Sequence, residues 1–207
     1  MGTDSTASMT NRSLRYFIVY GFCGGQAHSV KFRKLIQNEG LQPATNAIDA
    51  DILIAHSAGC LQVPSDTKAK LIILVGVPLD TRTVGTFLRA HLQNILFFYH
   101  SHRTIQGLRF GLNNFFYAIV HPQQNYDAAQ LVHKHVFSLP TGQTASVVWI
   151  ANQHDPWPNT QELVTFLSDM PYSFISLAGA HDSIWVNPEL FIAIIKHYAG
   201  TVLAKTD

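Results

Sequence analysis

The stretch Asp51-Ile-Leu-Ile-Ala-His-Ser-Ala-Gly-Cys60 decides the fold of this chain. An apolar run leads into Ala55-His-Ser57-Ala-Gly59, after which the chain becomes polar. A short apolar strand that ends at a serine, with very small residues two positions before and after it, predicts a sharp turn from a strand into a helix. Such a turn lifts the serine hydroxyl above the edge of the sheet. The alternative interpretation is an ordinary turn that ends a buried strand.

Further apolar segments on either side of this turn predict more strands. They are nearly continuous apolar runs, typical of strands buried on both faces of a parallel sheet, and they cover residues 14–20, 71–77, 146–151 and 173–177. Helical patterns lie at 27–38, closed by Glu39 and Gly40, and at 188–203, where the apolar stripe ends at Gly200. This alternation predicts an α/β fold, a small doubly wound and mostly parallel sheet of about five or six strands.

Residues 79–144 interrupt the alternation. Instead of a buried strand they contain helical stretches rich in aromatic residues and histidine, at 83–100, 107–121 and 126–137. We predict a helical cap inserted into a main domain that spans residues 14–207. Its aromatic clusters would serve as its own core and as the cover of a binding site.

Composition excludes several classes of protein. The 207 residues are 47% hydrophobic and 13% charged, against roughly 25% charged in an average soluble protein. A net charge of +1 gives no electrostatic footprint for nucleic acid. No apolar run approaches the ~20 residues of a membrane span. We therefore expect a large core and a small-molecule partner, and an exposed apolar cap would also allow a homodimer.

The chain carries no signal for export. Residues 1–13 are rich in serine and threonine and lack the apolar core of a secretory signal, so we expect a disordered arm. Two cysteines, Cys23 and Cys60, are too few for a disulfide framework, which favours a reduced, cytoplasmic chain. Both are most simply packing residues, and Cys23 could line a pocket.

Two later strands are followed by residues that could act on the serine. Asp155 follows the strand at 146–151, and His181 follows the strand at 173–177. Because the carboxyl ends of parallel strands lie at one edge of the sheet, these residues would meet Ser57 there. A nucleophile, an acid and a base in this order are the set needed for acyl transfer.

The loop with the histidine resembles that of the α/β-hydrolase superfamily, in which Gly-x-His precedes a Pro-x-x-Phe that begins the last helix. Here it is Gly179-Ala-His, then, after a short gap, Pro188-Glu-Leu-Phe191. Tyr20-Gly-Phe-Cys-Gly-Gly25 resembles the family's His-Gly-x-Gly-Gly turn after its first core strand. The resemblance covers the chain except the arm and the insertion. It implies an α/β-hydrolase fold and a small serine hydrolase of the esterase or lipase type, without a cofactor.

Two departures from the family pattern shape the expected fold. Ala55 stands where the serine turn commonly has a glycine. The segment between Gly21 and the serine turn is too short for the helix, strand and helix of the fuller fold, so we expect a missing or vestigial element. Pro64 predicts that the helix after the serine is short or distorted.

The resemblance also implies a mechanism. Ser57 would attack an acyl carbonyl, His181 would take its proton, and Asp155 would orient the imidazole. The backbone N–H groups of Ala58 and of Phe22, or of the residue after Phe22, would form the oxyanion hole. The expected reaction is hydrolysis of a carboxylic ester or thioester through an acyl-enzyme.

Other residues compete for these roles. Asp182 is a rival acid, although a neighbour of the histidine normally points away and suits a loop or helix cap. Asp169 is a second rival, in an edge loop by default. His154 is expected in solvent. His56 is expected to pack or hydrogen-bond locally, and it could line the pocket.

Two broader alternatives remain. The histidine pairs of the insertion are spaced two residues apart, which does not put them on one face of a helix, so no metal site is predicted. The competing function is a non-catalytic α/β-hydrolase-fold protein that binds a partner or a small molecule. A peptidase has no sequence signature here.

Overall fold

The structure is a computed structural model that describes residues 13–21, 28–78, 89, 92–93, 95–97, 99, 105–134, 145–155 and 173–203. The predicted disordered arm, except for residue 13, lies outside the described residues. So do much of the predicted cap, Phe22, Cys23 and Asp169. None of the helices in the described ranges is long and apolar enough to cross a membrane.

Six strands form one sheet in which every pair of neighbours is parallel. The order across the sheet is β2-β1-β3-β4-β5-β6. In chain order the strands are β1 (Arg15–Val19), β2 (Gln42–Pro43), β3 (Ile52–His56), β4 (Leu71–Val75), β5 (Ser146–Asn152) and β6 (Ser173–Leu177). The predicted fold class, a small mostly parallel α/β sheet of five or six strands, is confirmed.

The central strands are apolar, apart from His56 at the end of β3, because both of their faces are covered. Every residue of β3 and β4 is buried. Since successive side chains of a strand point to opposite faces, each of these strands feeds two cores. Ile52 and Ile54 belong to one core, and Leu53 and Ala55 belong to the other.

The first face of the sheet carries two long helices and a short one. They are α1 (Val30–Asn38), α4 (Ser183–Val186) and α5 (Pro188–Leu203). Helix α1 buries Phe32 and Ile36, and two exposed ion pairs join α1 and its end to α5, at 2.6 Å each. Helix α5 has the predicted bounds of 188–203, and Gly200, where the apolar stripe was expected to end, lies within the helix.

Two helices of the predicted insertion are described, α2 (Ile105–Val120) and α3 (Pro122–Lys134). Helix α2 contacts α4, and α3 contacts the 3₁₀ helix after the serine. Much of their apolar surface stays exposed, including Ile105, Phe116 and Val120. The predicted helix at 107–121 matches α2 to within two residues at either end. The second helix begins earlier than the predicted residue 126, because Pro122 starts α3 soon after α2 ends. Its predicted end at 137 lies outside the described residues.

The front half of the sheet is shortened, as expected. Between α1 and β3 the only strand in the described part of the chain is β2, with two residues. It pairs with Arg15 and Tyr16 of β1. The expected vestigial element is therefore β2.

Gly59 allows the 3₁₀ helix to pass close to β1. A Cβ at this position would collide with the carbonyl oxygen of Val19 and lie 2.8 Å from the carbonyl carbon of Tyr20. Both obstacles are backbone atoms at the carboxyl end of β1, so neither can rotate away. The small residue two positions after the serine is thus required by a backbone contact.

We expect Gly59→Ala to lower the free energy of unfolding by about 3 kcal/mol, because the added methyl group forces backbone atoms apart. Gly200→Ala is the matched control. Its Cβ would meet nothing within 4 Å, and alanine favours a helix over glycine, so a gain of about 0.5–1 kcal/mol is expected. Urea unfolding measures both. Equal effects of the two changes would contradict the close approach.

Candidate active site

Ser57 occupies a strained position at the carboxyl end of β3. Its φ is 56°, and it is the only non-glycine residue with a positive φ in the described ranges. The strand ends at His56, and a 3₁₀ helix, Ser57–Gln62, begins at the serine itself. Left-handed backbone at a non-glycine residue is unfavourable and persists where the surrounding structure requires it. The predicted sharp turn and the short helix after it are both present.

The start of the turn after β1 lies against this serine. A Cβ on Gly21 would be 2.6 Å from the Cβ of Ser57 and 3.1 Å from the backbone nitrogen of Ala58. A side chain at position 21 would therefore fill the space beside the Ala58 N–H. Phe22 and Cys23, which come next in the chain, lie outside the described residues.

Asp155 and His181 are in direct contact. The Nδ1 of His181 lies 2.8 Å from the Oδ2 of Asp155, and both residues are buried. Asp155 follows β5 and His181 follows β6, as their sequence positions predict. Since Nδ1–H donates to the carboxylate, the Nε2 atom keeps its lone pair and can accept a proton.

Gly76, which follows β4, makes room for this pair. Its φ is 59°. A Cβ there would lie 3.0 Å from the Oδ2 of Asp155 and 3.1 Å from the Nδ1 of His181. Glycine is the residue that adopts this backbone conformation without strain and leaves the space empty. Sequence reasoning did not single it out, although a glycine directly after a buried strand was a signal.

The charges around His181 favour its protonated form. Burial lowers the pKa of His181, but the charge and the hydrogen bond of Asp155, together with the charge of Asp182, outweigh burial and raise the pKa above its ordinary value. A buried imidazole with a raised pKa is suited to hold a positive charge for part of a reaction.

The side chain of His56 supports the loop of His181 by a hydrogen bond to the backbone of that loop. Its Nε2–H donates to the carbonyl oxygen of His181 at 3.0 Å, and the two rings lie 4.9 Å apart. Burial and the charge of His181 lower the pKa of His56 to about 3, so this ring stays neutral. The predicted local hydrogen bond of His56 is therefore made to a residue far along the chain.

Asp182 and His154, the neighbours of the histidine and of the acid in sequence, both contact residues of the insertion. Asp182 stands at the N-cap position of α4 without a side-chain capping bond. Its Oδ2 instead accepts a hydrogen bond from the Nδ2 of Asn114 in α2, at 3.1 Å. His154 is exposed, as expected, and its ring stacks on Phe97 at 4.9 Å. The contact between Asn114 and Asp182 had no signal in the sequence.

In the described part of the chain, Ser57 and His181 are linked indirectly. Among the hydrogen bonds between described residues, none joins the hydroxyl of Ser57 to the ring of His181. The link between them runs through His56, the residue before the serine. Hydrogen bonds between catalytic groups are often long without substrate and shorten when it binds.

Two further features of this region bear on cysteine chemistry and metal binding. Cys60 is buried and its thiol points to the carbonyl oxygen of Val75. Burial raises the pKa of this thiol, which fits the predicted packing role. His56, His181 and Asp182 bring ligand atoms within 4.8 Å of one another. Both histidines already make hydrogen bonds, and the absence of a metal site stays a prediction.

Comparison with known proteins identifies the fold. No protein-family model and no curated protein matches the chain. ClbQ from the colibactin NRPS/PKS pathway is 11% identical, covers 93% of this chain and 99% of its own, and has a TM-score of 0.58. MGS-MChE2, an α/β-hydrolase enzyme from a lagoon-sediment metagenome, is 11% identical with a TM-score of 0.58, covering 90% of each chain.

A third similar structure comes from a study of carboxylesterases of the ammonia-oxidizing thaumarchaeon Nitrososphaera gargenis. It is 11% identical, covers 94% of this chain and 92% of its own, and has a TM-score of 0.56. At such low identity these likenesses show the fold. The chain has the fold of the α/β-hydrolase superfamily, as its sequence predicts.

Proposed function

We propose that this α/β-hydrolase-fold chain is a serine hydrolase that cleaves a carboxylic ester or thioester through an acyl-enzyme on Ser57. The observation that carries the proposal is the buried hydrogen bond between Asp155 and His181, at the edge of the sheet where the strained Ser57 directly follows β3. Nucleophile, acid and base come from three strand ends, in the chain order typical of this fold.

Each group has a defined task in the proposed reaction. The Oγ of Ser57 attacks the acyl carbon, and its proton moves to the Nε2 of His181. That proton then goes to the leaving alcohol or thiol as the ester bond breaks. Water repeats the sequence on the acyl-enzyme and releases the carboxylic acid. Asp155 keeps the ring in the tautomer that leaves Nε2 free to accept the proton.

The oxyanion of each tetrahedral intermediate needs hydrogen-bond donors. We assign the backbone N–H of Ala58, which follows the nucleophile, and that of Phe22 or Cys23 in the turn after β1. The close approach of Gly21 to the Ala58 nitrogen, at 3.1 Å for an added Cβ, supports this pairing of the two segments.

The insertion is proposed to act as the cap. Helix α3 contacts the 3₁₀ helix that begins at Ser57, and α2 contacts α4 directly after the histidine loop. The insertion is apolar, and α2 has no acidic residue in its first turn. An apolar cover suits a small to medium uncharged acyl group. Three of its residues, Ile105, Phe116 and Val120, are exposed and support the predicted homodimer.

The second candidate is a non-catalytic binding protein of the same fold. It is favoured by one observation, the shortened front half of the sheet, where β2 has only two residues. Under this reading the strained turn would be a remnant, and the pocket would hold a ligand without cleaving it.

Labelling with a fluorophosphonate separates the two candidates. Intact-mass spectrometry of the wild type should show one adduct, and Ser57→Ala should show none, because an activated serine attacks the phosphorus atom. Ser65→Ala changes an exposed serine in a nearby loop and should label like the wild type. A folded wild type that gains no adduct would overturn the proposed hydrolase and favour the binding protein.

A further inference from the structure

Asp182 is a buried carboxylate that the proposed reaction does not use. It is only 6% exposed, although a buried carboxylate is unfavourable unless polar partners surround it. At the start of a helix its usual role would be a capping bond to the backbone. Asp182 makes no such bond, and its described hydrogen bond goes to Asn114 of α2 instead.

Its partners come from three separate parts of the chain. The Nδ2 of Asn114, itself buried, donates to Asp182 at 3.1 Å from α2 of the insertion. The ligand atoms of Asp182, His181 and His56 all lie within 4.8 Å of one another. The charge of Asp182 also reaches His28, just before α1. The carboxylate therefore stands between the insertion and the ring of His181.

We propose that Asp182 is a positioning residue for His181, a second carboxylate beside the imidazole, and that Asn114 holds it so that the seating of α2 is coupled to the proton affinity of His181. The consequence for catalysis rests on the proposed function. The contacts of Asp182 are independent of the proposed function.

Electrostatics gives the direction of the effect. Several ionisable groups face the ring of His181. Asp155 and Asp182 raise its pKa against the effect of burial, and the neutral His56 donates to its carbonyl oxygen. Burial lowers the pKa of His28, while the charge of Asp182 raises it. Removing the charge of Asp182 must therefore lower the pKa of His181.

Coupling through Asn114 follows from its hydrogen bond. The amide donates to the carboxylate and so stabilises its anionic form. If α2 moved away, Asp182 would lose this donor and would favour its neutral form more. His181 would then lose part of its electrostatic support. The insertion would in this way affect the base through Asp182.

The test is an NMR titration of the His181 ring, observed through its Cε1–H signal and assigned by its loss in His181→Gln. We expect Asp182→Asn to lower the pKa of His181 by about one unit, as expected for the loss of one nearby opposite charge. Asp66→Asn, at an exposed loop carboxylate, is the control and should leave the titration unchanged.

Asn114→Ala tests the coupling, with the exposed neighbour Asn113→Ala as its control. The pKa of His181 in Asn114→Ala should lie between those of the wild type and Asp182→Asn. In the double variant the Asn114 change should add nothing, because it acts through Asp182. If Asp182→Asn did not fold, the difference between Asn114→Ala and Asn113→Ala would still decide the question.

An unchanged His181 titration in folded Asp182→Asn or folded Asn114→Ala would overturn the proposal and leave Asp182 a structural residue. The titration needs no turnover, so the result is independent of the proposed reaction. A lowered pKa in a chain that fails to label with fluorophosphonate would support the positioning role and reject the hydrolase.

Discussion

Replacing Ser57 with alanine should lower the kcat/KM for a p-nitrophenyl ester by about 10⁵–10⁶-fold, the effect expected when the nucleophile of a serine hydrolase is removed. The reaction loses its covalent route, and only substrate binding and the oxyanion donors remain. Alanine keeps the Cβ, so the strained backbone at φ 56° is no worse than with serine. The free energy of unfolding should therefore change little.

The control for this experiment is Ser65→Ala, which should keep the wild-type kcat/KM. Circular dichroism and urea unfolding of Ser57→Ala would establish that the variant is folded. If folded Ser57→Ala hydrolysed the ester at the wild-type rate, Ser57 would not be the nucleophile, and the assignment of the site would be wrong.

Asp155→Asn should lower kcat by about 10⁴-fold, because the amide no longer selects the tautomer of His181 that can accept a proton. The pH profile should change with it. In the wild type His181 must be neutral to act as a base, and its pKa is raised, so kcat/KM should fall as pH drops through a value above roughly 6.5. In Asp155→Asn this acid limb should move to lower pH.

The contact between Asp155 and His181 also affects stability, and it does so at low pH, where the activity is expected to fall. Because the pKa of His181 is raised on folding, the pair should stabilise the fold fully below roughly pH 6.5, and this contribution should disappear as pH rises through the folded-state pKa. Asp155→Asn should therefore lose most stability at mildly acidic pH. Asp66→Asn is the control, and identical pH profiles for Asp155→Asn and the wild type would contradict the role of Asp155.

The sheet could be predicted from the sequence because its strands are buried on both faces and are continuous in apolar residues. Ser173–Leu177 has the predicted bounds, and β5 extends the predicted run by one residue. Helix α5 also has the predicted bounds, although Gly200, expected to end its apolar stripe, does not interrupt it. Nothing lies within 4 Å of the Cβ position of Gly200, so no local contact forces the helix to end there.

The positions of Ser57, Asp155 and His181 at one edge follow from the parallel direction of their strands, which the buried apolar runs predict. The hydrogen bonds that support these residues could not be predicted in this way. His56 and the carbonyl of His181 are 125 residues apart, and Asn114 and Asp182 are 68 apart. Such contacts depend on the paths of loops and on how the insertion packs, and neither leaves a periodic pattern in the sequence.

The short outer strand β2 also affects how the molecule behaves at high concentration. An open sheet edge can recruit a strand from another chain, which is a route to aggregation. Here the outermost strand has two residues and ends in Pro43, and proline has no N–H to donate to an added strand. The shortened front half therefore leaves this side of the sheet with little backbone to offer a neighbour, and it helps to keep the protein dispersed.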